Sequence, residues 1–210
     1  MSNRLYFPAT IRNRLPIAKV LSDFLPIDGF VLEIASGSGE HGVEFQKLFP
    51  KLLWQTSDPN PIYRESISSW IEYTGLKGKM PDPIDLDVTR KPWNLPKTLT
   101  SQLGAIVCIN LLHISPWSCA EDLFGEANGK LSANSPLIIY GPFKREGKHT
   151  SESNYIFDMS LKERNVEWGI RNFEEVKDLA TKCGFKRNFA VEMPANNLSV
   201  IFYKKTKQSS

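Results

Sequence analysis

Apolar positions along this chain follow two alternating rhythms. Short, continuous apolar runs recur at Phe30–Ala35, Leu52–Thr56, Ala105–Asn110 and Leu137–Tyr140, the pattern of strands buried on both faces. Helix-period stripes fall between them. One covers Glu40 to Phe49 and is stopped by Pro50. Another is capped by Asn60 with Pro61 at its first position, sets Ile67, Trp70 and Ile71 on one face, and ends at Gly75. A third aligns Ala120, Leu123, Phe124, Ala127 and Leu131. A helix over Pro16–Phe24, with Pro16 in its first turn, precedes the first strand, and a short third strand ends near Leu86. Strand and helix in alternation predict βαβ units and a mostly parallel, doubly wound Rossmann-like α/β sheet.

The rhythm changes after Tyr140. Gly141-Pro142 predicts the start of a polar loop reaching about Ser153, followed by a helix over Asn154–Glu163. Asn172 with Glu175 forms a capping-box-like start to the last long helix, which Gly184 ends. Phe185–Met193 and Leu198–Lys204 then read as two strands joined by a Pro-Ala-Asn-Asn turn, so the sheet closes in an antiparallel hairpin. One domain is expected over residues 1–210, with a helical segment at 1–29, an insertion at 141–171 and a polar tail at 204–210.

Composition narrows the classes. Apolar residues are 41% and charged residues 23%, the balance of a globular protein rather than a disordered one. A net charge of +3 over 210 residues argues against a nucleic-acid-coating surface. No apolar run spans a bilayer, and residues 1–10 hold no signal-peptide core. Cys108, Cys119 and Cys183 are an odd set without CxxC spacing and read as small buried hydrophobes in a reducing, cytoplasmic setting. Three scattered histidines offer no ligand cluster, so no metal is expected.

The run Val31-Leu32-Glu33-Ile34-Ala35-Ser36-Gly37-Ser38-Gly39 carries the most chemistry. Small residues at the end of a first strand let a ligand approach the backbone closely. Gly37 to Gly42 also fits GxGxxG, and Asp58 follows at the distance a dinucleotide fingerprint expects. Two carboxylates oppose that reading. Glu33, inside the strand, suits the cationic amino-acid end of S-adenosylmethionine and repels a pyrophosphate. Glu40 stands where a helix N-terminus would receive phosphate. The Tyr-x-x-x-Lys pair of small dehydrogenases is also missing from any helix, since Tyr140–Lys144 contains Gly141-Pro142 and Tyr73–Lys77 contains Gly75. The expected cofactor is therefore S-adenosylmethionine, with Ala35, Ser36, Gly37 and Gly39 forming the loop. Asp58 accepts from the ribose hydroxyls, Asp87 beside Val88 from the adenine amino group, and Asn110 stands near the methyl position.

The sequence resembles the methyltransferase-like 26 proteins and their bacterial relatives, described as domain of unknown function 938. The similar stretches run nearly end to end. They include Arg12-Asn13 before Pro16-Ile17, Val31 to Gly39, Trp54-Gln55 with Ser57-Asp58-Pro59, and Ser66-Ile67 with Trp70. They continue through Leu86-Asp87-Val88, Ile109-Asn110 with His113-Ile114, Pro116-Trp117, Tyr140 to Phe143, Ser153-Asn154 with Phe157-Asp158, Trp168-Gly169 with Arg171, and Met193 to Leu198. The resemblance implies a class I, seven-stranded methyltransferase fold binding S-adenosylmethionine, and says little of the acceptor. Ser38 stands where relatives often carry threonine, and Arg14-Leu15 departs from a polar-acidic pair.

For the transfer itself, His113 just beyond the fourth strand is the first candidate base, with Asp158, His149 and Tyr140 behind it. Trp117, Phe143, Asn154, Phe157, Trp168, Arg171, Asn196 and Asn197 are expected to cover the substrate, and Arg12-Asn13 to close over the cofactor carboxylate. Asn110-Leu111-Leu112-His113 lacks the double proline of base-modifying enzymes, which favours a small-molecule acceptor. An RNA or protein methyltransferase, and a silent cofactor-binding module, are the alternatives.

Overall fold

A computed structural model describes residues 3–204. In it, β1 (Gly29–Ile34), β2 (Leu52–Thr56), β3 (Leu103–Ile109) and β4 (Leu137–Arg145) run parallel. Two antiparallel strands, β7 (Phe185–Met193) and β8 (Asn197–Lys204), complete the order β2-β1-β3-β4-β8-β7. Short β5 (Lys148–His149) and β6 (Arg171–Asn172) pair with the far end of β4.

Side-chain alternation sorts the layers. Leu32 and Ile34 face α5 (Trp117–Lys130) and α7 (Phe173–Lys182), joined by Ile106, Cys108, Leu137 and Ile139 from neighbouring strands. Val31 faces the opposite side with Val107, Ile138 and Ile201, packed on α1 (Pro8–Phe24), α2 (Glu40–Leu48) and α3 (Pro61–Tyr73). Glu33 shares the side of Val31, so its carboxyl is buried beneath α2. A short α4 (Lys97–Ser101) leads into β3, and α6 (Glu152–Arg164) caps the extension of β4. No helix among the described residues is long and apolar enough to cross a membrane.

Several elements differ from their sequence-based expectation. Helix α1 begins at Pro8, not Pro16: Pro8 takes the first turn, and Pro16 lies mid-helix within the stretch that carries buried Thr10, Ile17, Ala18 and Leu21. The predicted third strand is one parallel bridge, Ser57 to Ile84, because Pro81 and Pro83 remove the amides a ladder needs. Seven sheet positions are thus filled by six strands and this bridge. Strand β4 runs through Gly141-Pro142 instead of stopping at Tyr140. Its β3 neighbour ends at the Ile109–Tyr140 pair, so Pro142 sits on an edge, where proline is tolerated. Asn172 precedes α7 but makes no side-chain cap; its Oδ1 accepts from Gly147 N at 3.3 Å. Cys108 is buried, whereas Cys119 and Cys183 are only partly so, and all three are free thiols. Of the predicted tail, Lys204 ends β8, and residues 205–210 lie outside the described residues.

Candidate cofactor cleft and active site

The chain lays β2 on one side of β1 and then crosses to β3 on the other. Such a reversal opens a crevice at the carboxyl ends of the strands. Here it is a cleft of about 330 Å³, floored by Glu33, Ala35 and Ser36 and flanked by Asp58, Tyr63 and Asn110.

The backbone around it is strained. Ala35 (φ 53°) and Asn110 (φ 60°) end β1 and β3 in the left-handed region, which non-glycine residues occupy at a cost and which clusters at functional sites. Gly39 (φ 92°) needs its freedom for a second reason, because a Cβ there would lie 2.8 Å from the Ile67 backbone. At Gly42 a Cβ would meet Thr56 Cγ2 at 2.5 Å and Glu33 Oε2 at 3.0 Å. The three glycines of the GxGxxG run therefore serve the turn and the seating of α2 on the sheet.

Three carboxylates set the electrostatics. Glu33 is 1% exposed, and its Oε2 accepts from Trp54 Nε1 at 2.8 Å. Burial pushes its pKa up to about 7 against the hydrogen bonds from Trp54 and Ser36. Asp58 Oδ2 accepts from Gly37 N (3.0 Å) and Oδ1 from Asn60 N (2.9 Å). Burial raises its pKa, while those two amides and Arg64 oppose the rise. Each oxygen retains a lone pair for a hydroxyl donor. Glu40 opens α2, and its Oε2 accepts from Ser38 Oγ (2.9 Å) and Phe7 N (2.7 Å). The anion position at this helix N-terminus is filled by the protein's own carboxylate.

Helix α1 crosses the cleft. Asn13 Oδ1 lies 2.8 Å from His41 Nε2, and the Asn13 side chain also hydrogen-bonds the Tyr140 hydroxyl, beside exposed Arg12. Burial, then the Arg14 charge, pushes His41 down to about 4, so the neutral ring donates from Nε2 to Asn13.

His113 is 5% exposed, with the Phe157 ring edge-on at 5.5 Å. A Cβ at Gly141 would lie 3.3 Å from His113 Nδ1 and 3.7 Å from Asn110 Oδ1, so both side chains converge on that glycine. Burial, then the Arg171 guanidinium, pushes the imidazole down to about 4 with no opposing hydrogen bond, which leaves it neutral. Asn154 Nδ2 donates to Thr150 Oγ1 (3.1 Å) and Asn196 O (3.2 Å), joining α6 to the β7–β8 turn.

Other predicted residues lie elsewhere. Asp158 Oδ2 takes His149 (2.9 Å), Lys162 (2.8 Å) and Lys144 (3.3 Å), while Oδ1 accepts from Ile170 N at 2.6 Å, a clamp between α6 and β4. Trp117, Trp168 and Arg171 line a separate groove of about 710 Å³, and Arg171 braces the 112–115 turn through Leu112 O and Ser115 O. Phe143 is core, edge-on to Phe173 at 5.9 Å. Asn197 folds back on Pro194 O at 3.0 Å. Asp87 Oδ1 accepts from Thr89 N and Oγ1 and borders a different cavity of about 300 Å³, with Val88 buried beside it. Phe7, Thr10, Tyr63 and Ile114, which sequence reasoning did not reach, line the cleft. His41 was visible only as a letter of the GxGxxG run; Phe7 and Tyr63 gave no local signal.

A family model described as "Protein of unknown function (DUF938)" matches residues 4–204. Among solved structures, the chain is similar to an O-methyltransferase family protein from Burkholderia thailandensis (TM-score 0.75, 16% identity, covering 95% of this chain and 58% of that one). It is also similar to human N-acetylserotonin methyltransferase in complex with SAM (0.75, 14%, 94% and 53%) and to the mitomycin 7-O-methyltransferase (0.76, 15%, 94% and 54%). The chain spans little more than half the length of each. At these identities the likeness shows the fold, a Rossmann-like class I methyltransferase sheet with antiparallel C-terminal strands.

Proposed function

The chain belongs to the DUF938 family of proteins of unknown function, and from its cleft we propose that it is an S-adenosylmethionine-dependent methyltransferase acting on a small molecule. The observation that carries this reading is the placement of three carboxylates around one switch-point cleft. Glu33 in the floor suits a cation, Asp58 at the rim suits a vicinal diol, and Glu40 fills the position a pyrophosphate would need. The strained Ala35 and Asn110 fit close backbone approach by a nucleoside. When bound, S-adenosylmethionine supplies a methyl group activated by sulfonium.

The protein's own residues bind, orient and exclude water. Asp58 accepts from the ribose hydroxyls, Glu33 faces the amino-acid end, and Asn110 borders the reacting end. His113, a neutral imidazole beside Asn110 and Gly141, takes the acceptor's proton at a ring nitrogen. Burial keeps the ring neutral and so able to accept that proton, as a weaker base than a free imidazole. Asp158 holds α6 in place rather than handling protons. The neighbours named as O-methyltransferases support an oxygen acceptor.

Thermal unfolding with S-adenosylmethionine, S-adenosylhomocysteine and NAD tests the cofactor. The first two, at 100 times their Kd, are expected to add about 2.7 kcal/mol, a rise of about 5–10 °C, and NAD none. Asp58→Ala is expected to abolish the rise. A shift with NAD alone refutes the reading. Label transfer into small-molecule extracts, set against total RNA and protein, then tests the acceptor class.

A further inference from the structure

The segment before α1 has no part in the cofactor loop, yet it is tied down along its length. Leu5 N donates to Ser66 Oγ at 2.8 Å, and Ser66 Oγ donates in turn to Ser38 O at 2.7 Å. Trp70 Nε1 donates to Leu5 O at 3.0 Å. Tyr6 stands edge-on to Trp70 at 5.1 Å, and the Arg4 guanidinium lies over Tyr73 at 3.4 Å. Phe7 N donates to Glu40 Oε2 at 2.7 Å, and the Phe7 ring meets Tyr63 edge-on at 5.8 Å.

Two facts make this more than terminal packing. First, the tied segment and the first turn of α1 form one wall of the cleft, where Phe7, Ala9 and Thr10 join Gly37 and Asp58 in its lining. The Phe7 ring rests on Gly37 so closely that a Cβ there would lie 2.9 Å from Cε2. Roof therefore touches floor, and the cleft is shut on that side. Second, the ties end on the cofactor loop itself. Glu40 holds Ser38 and Phe7 with one oxygen, and Ser66 holds Ser38 O and Leu5 N with one hydroxyl. Loop and roof share both fastenings, although the roof is built mostly of half-exposed side chains: Tyr6 is 59% and Phe7 38% exposed.

We infer that residues 3–10 are the removable roof of the cofactor site, that Glu40 and Ser66 are positioning residues fastening it to the Gly37–Gly39 loop, and that its lifting sets the rate at which the nucleoside leaves. The inference rests on the proposed cofactor. It assigns Glu40 to retention instead of direct ligand contact and gives Phe7 the task of covering the loop. Glu40 is already buried, so its hydrogen bond to Phe7 N is made away from water, and a bound nucleoside shields the exposed roof as well.

Stopped-flow release of S-adenosylhomocysteine, with hydrogen exchange of the 3–10 amides, tests it on the full chain. Glu40→Ala is expected to speed release about tenfold, the cost of one charge-assisted hydrogen bond, and to deprotect the Phe7 amide. Glu40→Gln, whose amide oxygen still accepts from Phe7 N, is expected to restore most of the retention. Phe7→Ala, which keeps the backbone amide and its bond to Glu40, is expected to speed release, and by more than the small loss of apo melting temperature from its Tyr63 contact accounts for. Wild-type binding with release unaltered in both Glu40→Ala and Phe7→Ala overturns the roof alone. Failure of the wild-type chain to bind S-adenosylhomocysteine overturns the cofactor reading, and the roof with it.

Discussion

Glu33 sits 1% exposed in a strand, with one hydrogen bond from Trp54 on its outer oxygen. Its carboxyl moves from an ordinary 4.5 to about 7 on burial, so the folded state holds the proton more tightly than the unfolded chain. The sign follows: its contribution to stability is full below about pH 4.5 and declines as pH rises to about 7. Urea unfolding is expected to show Glu33→Gln gaining on the wild type across that interval, by up to about 3 kcal/mol. A cation in the cleft works in the other direction by favouring the ionised form. Affinity for S-adenosylmethionine is thus expected to rise between about pH 6 and pH 8, and calorimetry on Glu33→Gln to show that slope gone. The positions of Glu33 and Asp58 were legible in the sequence because the first lies within a short apolar strand and the second just after one. Phe7 was not, since its position over Gly37 depends on contacts with residues 33 to 65 positions away.

At the scale of elements, local punctuation was readable where one residue decides the outcome. Asn60 before Pro61 caps α3, its Oδ1 accepting from Ile62 N at 3.0 Å. The C-terminal hairpin follows from two apolar strands around a turn in which Ala195 and Asn196 take positive φ. Gly141-Pro142 misled because proline on an edge strand is indistinguishable, in sequence, from proline in a loop. The region beyond it is held by Asp158, whose single carboxylate receives Lys162, His149, Lys144 and Ile170 N. Burial alone would raise its pKa, but these partners hold it far below the usual carboxylate range. Its stabilisation is present above about pH 4 and lost as pH falls further. Asp158→Asn leaves Lys144 and Lys162 facing a neutral amide. It is expected to cost about 3 kcal/mol at neutral pH, with the difference shrinking in acid, as chemical denaturation would show.

Across the whole molecule, stability is distributed by layer. The central strands β1, β3, β4 and β8 are sealed on both faces. Residues 75–96 form no helix or strand and pair with a sheet strand at the Ser57–Ile84 bridge alone among the described residues, their hold on the sheet otherwise being side-chain packing by Met80, Leu86, Val88 and Trp93, and β7 is an edge with most side chains exposed. Native-state hydrogen exchange is expected to be slowest at Val31–Ile34 and Ile106–Ile109. It should be faster by orders of magnitude over 75–96 and along the free side of β7. Uniform protection across these regions would contradict that layering. The doubly wound arrangement itself was legible, because parallel strands buried on both faces leave continuous apolar runs. The third strand was overread for the same reason, with Pro81 and Pro83 outvoted by the apolar letters around them.

Strand β4 leaves the sheet without a hinge. The residues that pair with β3 and β8 in the core continue unbroken into those that pair with β5 and β6. The extension capped by α6 is therefore a cantilever, and its angle is set by the strand register that builds the core. Such a cap cannot be re-aimed without re-threading the sheet. On the proposed reading, a change of acceptor would come from exchanging side chains on α6 and the β7–β8 turn, a route open to single substitutions, while the attitude of the cap stays fixed.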